Sequence, residues 1–231
     1  MRVLLAIDTS THAIGAAVHD GRDVLASVVH EDPRKHAELL APVIDEALRQ
    51  AGVRRTELTA VVSGVGPGPF TGLRVGVVTA QVLAHALGLP APSGVCSLDA
   101  LAHAVRSRHQ GELLVATDAR RKEVYWATYL VEQGRARRLA GPDVARAVDL
   151  PDEVRALPTL GRGALLYPDA LPHLLTDGPR DVDPGDLADL GVRLRSGDHP
   201  DAGSALLAPE PLYLRRPDAV EPARMPPPGG A

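Results

Sequence analysis

Ala60-Val61-Val62-Ser63-Gly64-Val65 empties into Gly66-Pro67-Gly68-Pro69-Phe70-Thr71-Gly72, and an apolar segment of helical length, residues 73–87, follows at once. The unit reads as a buried strand, a glycine loop and a helix. Unpaired N–H groups at a helix start, backed by the positive end of the helix dipole, can seat an anion. Glycines let the backbone turn tightly and approach a ligand closely. No Gly-Lys-Ser/Thr closes the loop and its glycines do not follow GxGxxG, so neither familiar phosphate loop is present. Thr71 is the expected N-cap, with the helix starting at Gly72 or Leu73. On these residues alone the loop either holds a ligand or only reverses the chain.

Working outward to the start of the chain, Val3-Leu4-Leu5-Ala6-Ile7 is a continuous apolar run that reads as a buried strand, and Asp8-Thr9-Ser10-Thr11 follows it directly. Residues 14–18 alternate as a second strand, Asp20-Gly21 is a hairpin turn, and residues 23–29 form a third strand. A strand ending in aspartate and small hydroxyl residues, then a hairpin, is how proteins of the actin, sugar-kinase and Hsp70 superfamily begin. There the carboxylate and hydroxyls face the phosphates and metal of a nucleotide. Residues 36–51 form an amphipathic helix with Leu40, Val43, Ile44, Ala47 and Leu48 on one side. Gly52 stops it, and Pro42 sits early enough to disturb the first turn.

On the other side of the loop, Gly88 and Pro90 end the second helix, residues 91–95 are extended, and Ser97 caps a helix to about residue 108. Strand logic then restarts. Residues 113–117 enter Asp118, residues 123–131 alternate, and Gln133-Gly134 turns the chain into a strand near 135–139. Two first strands thus end at aspartates, Asp8 and Asp118, which fits an α/β fold of two actin-like lobes with mixed sheets flanked by helices. Short helices are expected near residues 152–157, 164–175 and 186–195.

Five segments carry a narrower likeness: Ile7-Asp8-Thr9-Ser10, His36-Ala37-Glu38-Leu39-Leu40-Ala41-Pro42, the glycine loop through Arg74, Asp118-Ala119-Arg120-Arg121-Lys122-Glu123-Val124-Tyr125, and Pro211-Leu212-Tyr213-Leu214-Arg215. In that order they resemble the TsaB (YeaZ) family of bacterial proteins for making threonylcarbamoyladenosine in tRNA. The likeness covers residues 1–126 and 211–215. It implies the two-lobed actin-like (ribonuclease H-like) fold, with residues 1–98 as the N-terminal lobe, 99–215 as a smaller lobe and 216–231 as a disordered Pro/Gly-rich tail. It also implies a non-catalytic scaffold and activator of a metal-bearing sister subunit, TsaD. That sister transfers threonylcarbamoyl to the adenosine beside the anticodon. A small ATPase, TsaE, is the implied third partner, with a homodimer in isolation and tRNA met only through the complex. Asp8, Thr9, Ser10, Thr11, Gly66 and Gly68 would form a degenerate nucleotide site with no tightly bound cofactor, at most ATP or ADP shared with a partner. The sister's two metal-binding histidines, four residues apart, fall here on Cys96 and Ala100, so the paired site is gone.

Composition supports that division of labour. The chain has 231 residues, 45% hydrophobic, with a net charge of −4 and a pI near 6.1. Nucleic-acid affinity rests largely on Lys and Arg meeting phosphates, and no basic block here exceeds three residues. With 3% aromatic residues there are few platforms for stacking bases. One cysteine, Cys96, excludes an internal disulfide. No signal-peptide pattern or membrane-spanning run is visible, so a cytoplasmic protein is expected.

Other constellations are weaker. His30, Glu31, His36 and Glu38 lack HExxH spacing and read as solvated polar residues. Asp99 and His103 share a helical face, an arrangement expected of a surface hydrogen bond. Arg120, Arg121 and Lys122 read as solvated charges at a hairpin corner. Gly72, Gly76, Ala80 and Ala84 recur every four residues and make a small-residue ridge. It serves either close packing inside the lobe or a subunit interface. The resemblance favours an interface of Gly72, Leu73, Gly76, Ala80, Leu83 and Ala84 with His36 and Leu40. Two rival functions are an ATP-dependent kinase of the superfamily and a metalloprotease.

Overall fold

The computed structural model describes residues 3–32, 35–197 and 205–215; the tail expected over 216–231 lies outside them. Every residue of strand β1 (Val3–Asp8) is buried, as its unbroken apolar run requires. It pairs antiparallel with β2 (Ala13–His19), which pairs antiparallel with β3 (Val24–Glu31). Helix α1 (His36–Ala51) leads to β4 (Leu58–Gly64), parallel to β1, and helix α2 (Phe70–Ala86) leads to β5 (Ser93–Val95), parallel to β4. The sheet order is β3-β2-β1-β4-β5. Pro42 leaves α1 continuous. Its ring removes one N–H, while the Lys35 carbonyl closes the first turn by accepting from both Glu38 and Leu39.

After α3 (Ser97–His103) come β6 (Gly111–Asp118), β7 (Glu123–Glu132), β8 (Arg135–Arg146), α4 (Asp152–Arg155), β9 (Thr159–Leu160), α5 (Gly163–Leu166) and α6 (Pro184–Ser196). The second sheet runs β8-β7-β6-β9, with β9 parallel to β6 as β4 is to β1. Strands β6 to β9 therefore repeat the plan of β1 to β4. This is the doubled actin-like arrangement, and β1 and β6 are equivalent strands that end at Asp8 and Asp118.

Alternation along β1 assigns its two faces. Leu5 and Ile7 face a core with Leu40, Ile44, Ala80 and Ala84 of α1 and α2. Leu4 and Ala6 face a second core with Leu98 and Leu101 of α3, Leu187 and Leu190 of α6, and Leu113 and Tyr129 of the second sheet. Helix α6 thus returns to cover the first sheet, and one core joins the two sheets.

Several expected bounds are corrected. Helix α2 starts at Phe70 because the Pro69 carbonyl already accepts the Leu73 N–H (3.0 Å). Pro69 is its N-cap, without a side-chain hydrogen bond, and Thr71 lies inside the first turn. Helix α3 ends at His103, and its N-cap is Cys96, not Ser97. The helix expected over 164–175 shrinks to the single turn of α5, since Pro168 and Pro172 cannot supply helical N–H groups.

Candidate functional site

Asp8 is 2% exposed at the end of β1. Its Oδ1 accepts the Ser10 N–H (2.8 Å) and the Ser10 hydroxyl (2.7 Å), and its Oδ2 accepts the Ser97 hydroxyl (2.7 Å). Ser97 Oγ in turn accepts the Gly66 N–H (3.1 Å), and the Gly66 carbonyl accepts the Ser97 N–H (2.8 Å). Asp8 therefore ties the end of β1 to the start of α3 and to the glycine loop. Burial pushes its carboxyl up, against hydrogen bonds from Ser97 and Ser10 that pull it down. Ser97 is the residue the sequence reading missed, because only the fold brings position 97 under position 8.

The glycine loop packs on protein. A Cβ at Gly68 would lie 2.3 Å from the Ser10 carbonyl oxygen, so the two loops touch backbone to backbone. Thr9 enters α2 itself: its Oγ1 donates to the Gly72 carbonyl (2.7 Å) and accepts the Gly76 N–H (3.0 Å). Those two groups are an i, i−4 pair of the helix, the pair that an unperturbed α-helix would join. A Cβ at Gly76 would sit 2.4 Å from Thr9 Oγ1.

In the single chain the small-residue ridge of α2 is turned inward. Gly72, Leu73, Gly76, Ala80 and Ala84 are all buried within the chain, and the ridge serves internal packing on β1 and α1. Leu40 is buried in the same core, Leu83 packs against it half-buried, and half-buried His36 donates from Nε2 to the Thr11 carbonyl (3.1 Å). The ridge faces inward because a small-residue stripe is the only side of α2 that admits Thr9. Outward, α2 shows Val78 and Val82, which are 51% and 61% exposed, beside exposed Arg74 and Gln81.

Between the ends of β1 and β6 lies a cavity of about 10 Å³, lined by Ser10, Thr11, His12, Asp118, Arg162 and Asp181 among others. That is roughly the space of one water, against about 300–1,000 Å³ for a small-molecule pocket. Arg162 Nε bonds both Asp181 oxygens (2.9 and 2.8 Å) and its Nη2 bonds Glu31 (3.0 Å), closing this side. His12 Nε2 stands 3.9 Å from Asp118, and burial together with Arg162 lowers its pKa.

Cys96 and Ala100 are both buried, and burial pushes the Cys96 thiol up. Asp99 and His103 are buried too, which overturns the surface reading. Tyr129 donates to Asp99 (2.7 Å), while His103 Nε2 donates to Asp189 (2.8 Å) on α6. Burial lowers His103 to about 4, so it is neutral at pH 7. Among the described residues, no group of three His, Cys, Asp or Glu side chains is placed to hold a metal, and no helix is long and apolar enough to cross a membrane.

Compared with known proteins, residues 23–158 match the family described as TsaD, tRNA N6-adenosine threonylcarbamoyltransferase. The chain is 42% identical to an uncharacterized Mycobacterium tuberculosis protein over 94% of this chain and 93% of that one. It is 40% identical to the Escherichia coli tRNA threonylcarbamoyladenosine biosynthesis protein TsaB over 54% of each chain. YeaZ from Pseudomonas aeruginosa superposes with a TM-score of 0.75 and 32% identity, covering 93% of this chain and all of that one.

Proposed function

We propose, from the premise that this chain belongs to the TsaB (YeaZ) family, that it serves threonylcarbamoyladenosine formation as a scaffold and activator. Its role is in tRNA modification. The finer reading is that it performs no transfer itself and holds a metal-bearing sister subunit in a competent arrangement, with a small ATPase as third partner. One observation carries this: the Asp8 carboxylate is already engaged by three protein donors. The shallow cleft beside it supports the same view, since a nucleotide triphosphate would need the two loops to part. The residues do not fit a tightly held nucleotide, and the kinase reading gains nothing from them.

Docking falls to the outward face of α2. Val78 and Val82 are the most exposed large apolar residues of this helix, and a partner helix could bury both. The sister takes that face in the complex, and a second copy takes it in isolation. Activation is then a bias between conformations of the sister, supplied by contacts made better with one of them.

Reconstitution tests the reading. The sister and the small ATPase should form threonylcarbamoyladenosine on tRNA, followed by mass spectrometry, only when this chain is added. Val82→Glu should lose that stimulation and weaken assembly roughly ten-fold or more while the melting temperature stays put. Transfer by this chain alone, or one equivalent of iron or zinc surviving dialysis, would overturn it.

A further inference from the structure

The β6–β7 hairpin turns through Arg120, Arg121 and Lys122, whose φ values are 61°, 53° and 65°. Three consecutive side-chain-bearing residues in left-handed backbone are unfavourable, since each Cβ crowds the following carbonyl. The other positive φ values among the described residues belong to glycines, apart from Gln133. This tip alone puts three long cations where glycine or asparagine would sit more comfortably. It is also held from both sides. Asp118 Oδ1 accepts the Arg120 N–H (2.7 Å), the Ala119 N–H donates to the Glu123 carbonyl (3.0 Å) and the Glu123 N–H to the Arg120 carbonyl (2.9 Å), and Arg215 binds the Ala119 carbonyl (3.0 Å) and pairs with Glu123. Glu123 is thereby committed to the frame, while Asp118 Oδ2 also faces the Arg120 guanidinium (3.4 Å).

Beside the tip, Arg120 lines a groove of about 240 Å³ with His12, His36, Thr71 and Phe70. Phe70 is 38% exposed, stacks on Tyr213 (40% exposed) at 4.9 Å, and carries the Arg74 guanidinium 4.5 Å from its ring centre. In a chain so poor in aromatic residues, the two exposed rings are found together here, against a run of cations. Phosphates meet cations and unpaired bases stack on exposed rings, which is the pairing that single-stranded RNA requires.

We infer that the tip of the β6–β7 hairpin is an RNA-phosphate contact which this chain contributes to the assembled modification complex. The inference rests on the role in tRNA modification proposed above. A rigid tip offers cations already placed, so little ordering is lost on binding. Two or three contacts are too few to hold tRNA without the complex, in keeping with the net charge of −4.

The test uses the full chain purified with its sister and the small ATPase, and an unmodified tRNA transcript carrying adenosine beside the anticodon. Arg120→Asn with Lys122→Asn removes two charges with a residue that tolerates left-handed backbone. The variant complex should keep its stoichiometry. Its tRNA affinity by anisotropy should fall roughly 10- to 100-fold at 0.1 M salt, and its salt slope should become shallower by about 1.4–1.8. In the unaltered complex, tRNA should protect Lys122 from an amine-reactive ester, read by mass spectrometry. An intact variant complex with an unchanged slope, or an unprotected Lys122, sinks the tip contact and leaves the wider role standing. Loss of subunit assembly in the variant makes the tip a protein contact and overturns the inference. If the unaltered complex itself binds no tRNA, both readings fail together.

Discussion

Asp8 and Asp118 close equivalent strands of two sheets built to one plan, yet the corners they form have different fates. Asp8 is sealed: hydroxyls of Ser10 and Ser97 and one backbone N–H use its oxygens, and α2 lies across the corner with Thr9 inserted into it. Asp118 stays partly open. One oxygen caps the Arg120 N–H, and the other faces the Arg120 guanidinium (3.4 Å) and His12. What covers each corner makes the difference. The first is roofed by a helix whose glycines let it close in, the second is bordered by a hairpin tip whose residues 120–122 are exposed. Duplication supplies the geometry, and the covering element decides whether a carboxylate becomes internal structure or a frame for exposed charge.

The largest effect should come from prising the sealed corner apart. Gly76→Leu places a branched side chain on Thr9 Oγ1 and evicts both of its hydrogen bonds. Overpacking and two lost hydrogen bonds together should cost roughly 3 kcal/mol or more. Circular dichroism melting should show the drop, while sedimentation shows unchanged association of the protein still folded. A variant that kept its melting temperature and lost association would return the ridge to the surface. Next in size, Asp8→Ala strands the Ser10 and Ser97 donors in a dry corner, at about 2–3 kcal/mol. Asp118→Ala at the open corner should cost about 1 kcal/mol or less, because water replaces its bonds. Equal losses would erase the distinction between the corners.

Acid sharpens the same contrast. The folded pKa of Asp8 is raised above its unfolded value of 3.8, chiefly by burial. A raised acid binds more protons folded than unfolded, so its contribution is fully present below the unfolded pKa and is lost as pH rises through the folded one. The stability of the native chain minus that of Asp8→Asn should therefore grow as pH falls toward 4, by at most about 1.4 kcal/mol per pH unit. Denaturant melts at matched pH values measure it. A difference that shrank on acidification would mean that the hydrogen bonds from Ser10 and Ser97 outweigh burial.

Much of the first corner was legible in the sequence. The apolar run into Asp8, the Asp20-Gly21 turn and the amphipathic stripe of α1 each follow from local chemistry, and α1 has the expected bounds. Burial on α2 was not legible, because valine, leucine and alanine surround that helix and the small residues mark no side as outer. Thr9 and Ser97 act across 67 and 89 positions of chain, a separation that periodicity does not record. Between β8 and α6, single-turn helices and prolines leave no repeat long enough to read. The tip at Arg120 was visible as charge, but its left-handed backbone was not, since lysine and arginine are poor markers of that conformation.

The smallest expected effect concerns that backbone. Lys122→Asn keeps the turn at φ 65° with a residue that enters left-handed geometry more readily than lysine. Lys122 is exposed, so relief of backbone crowding should dominate, and the chain should gain about 0.5–1 kcal/mol. Gly134, at φ 73° in the β7–β8 turn, supplies the converse: Gly134→Ala installs the crowding that the tip already carries and should cost about 1 kcal/mol. The two substitutions report on the same conformation from opposite directions, one in a tip loaded with cations and one in an ordinary hairpin. Matched melts of both variants decide the point. If Lys122→Asn destabilises while Gly134→Ala behaves as expected, the lysine side chain is stabilising its own turn, and the tip's strained conformation needs no partner to explain it.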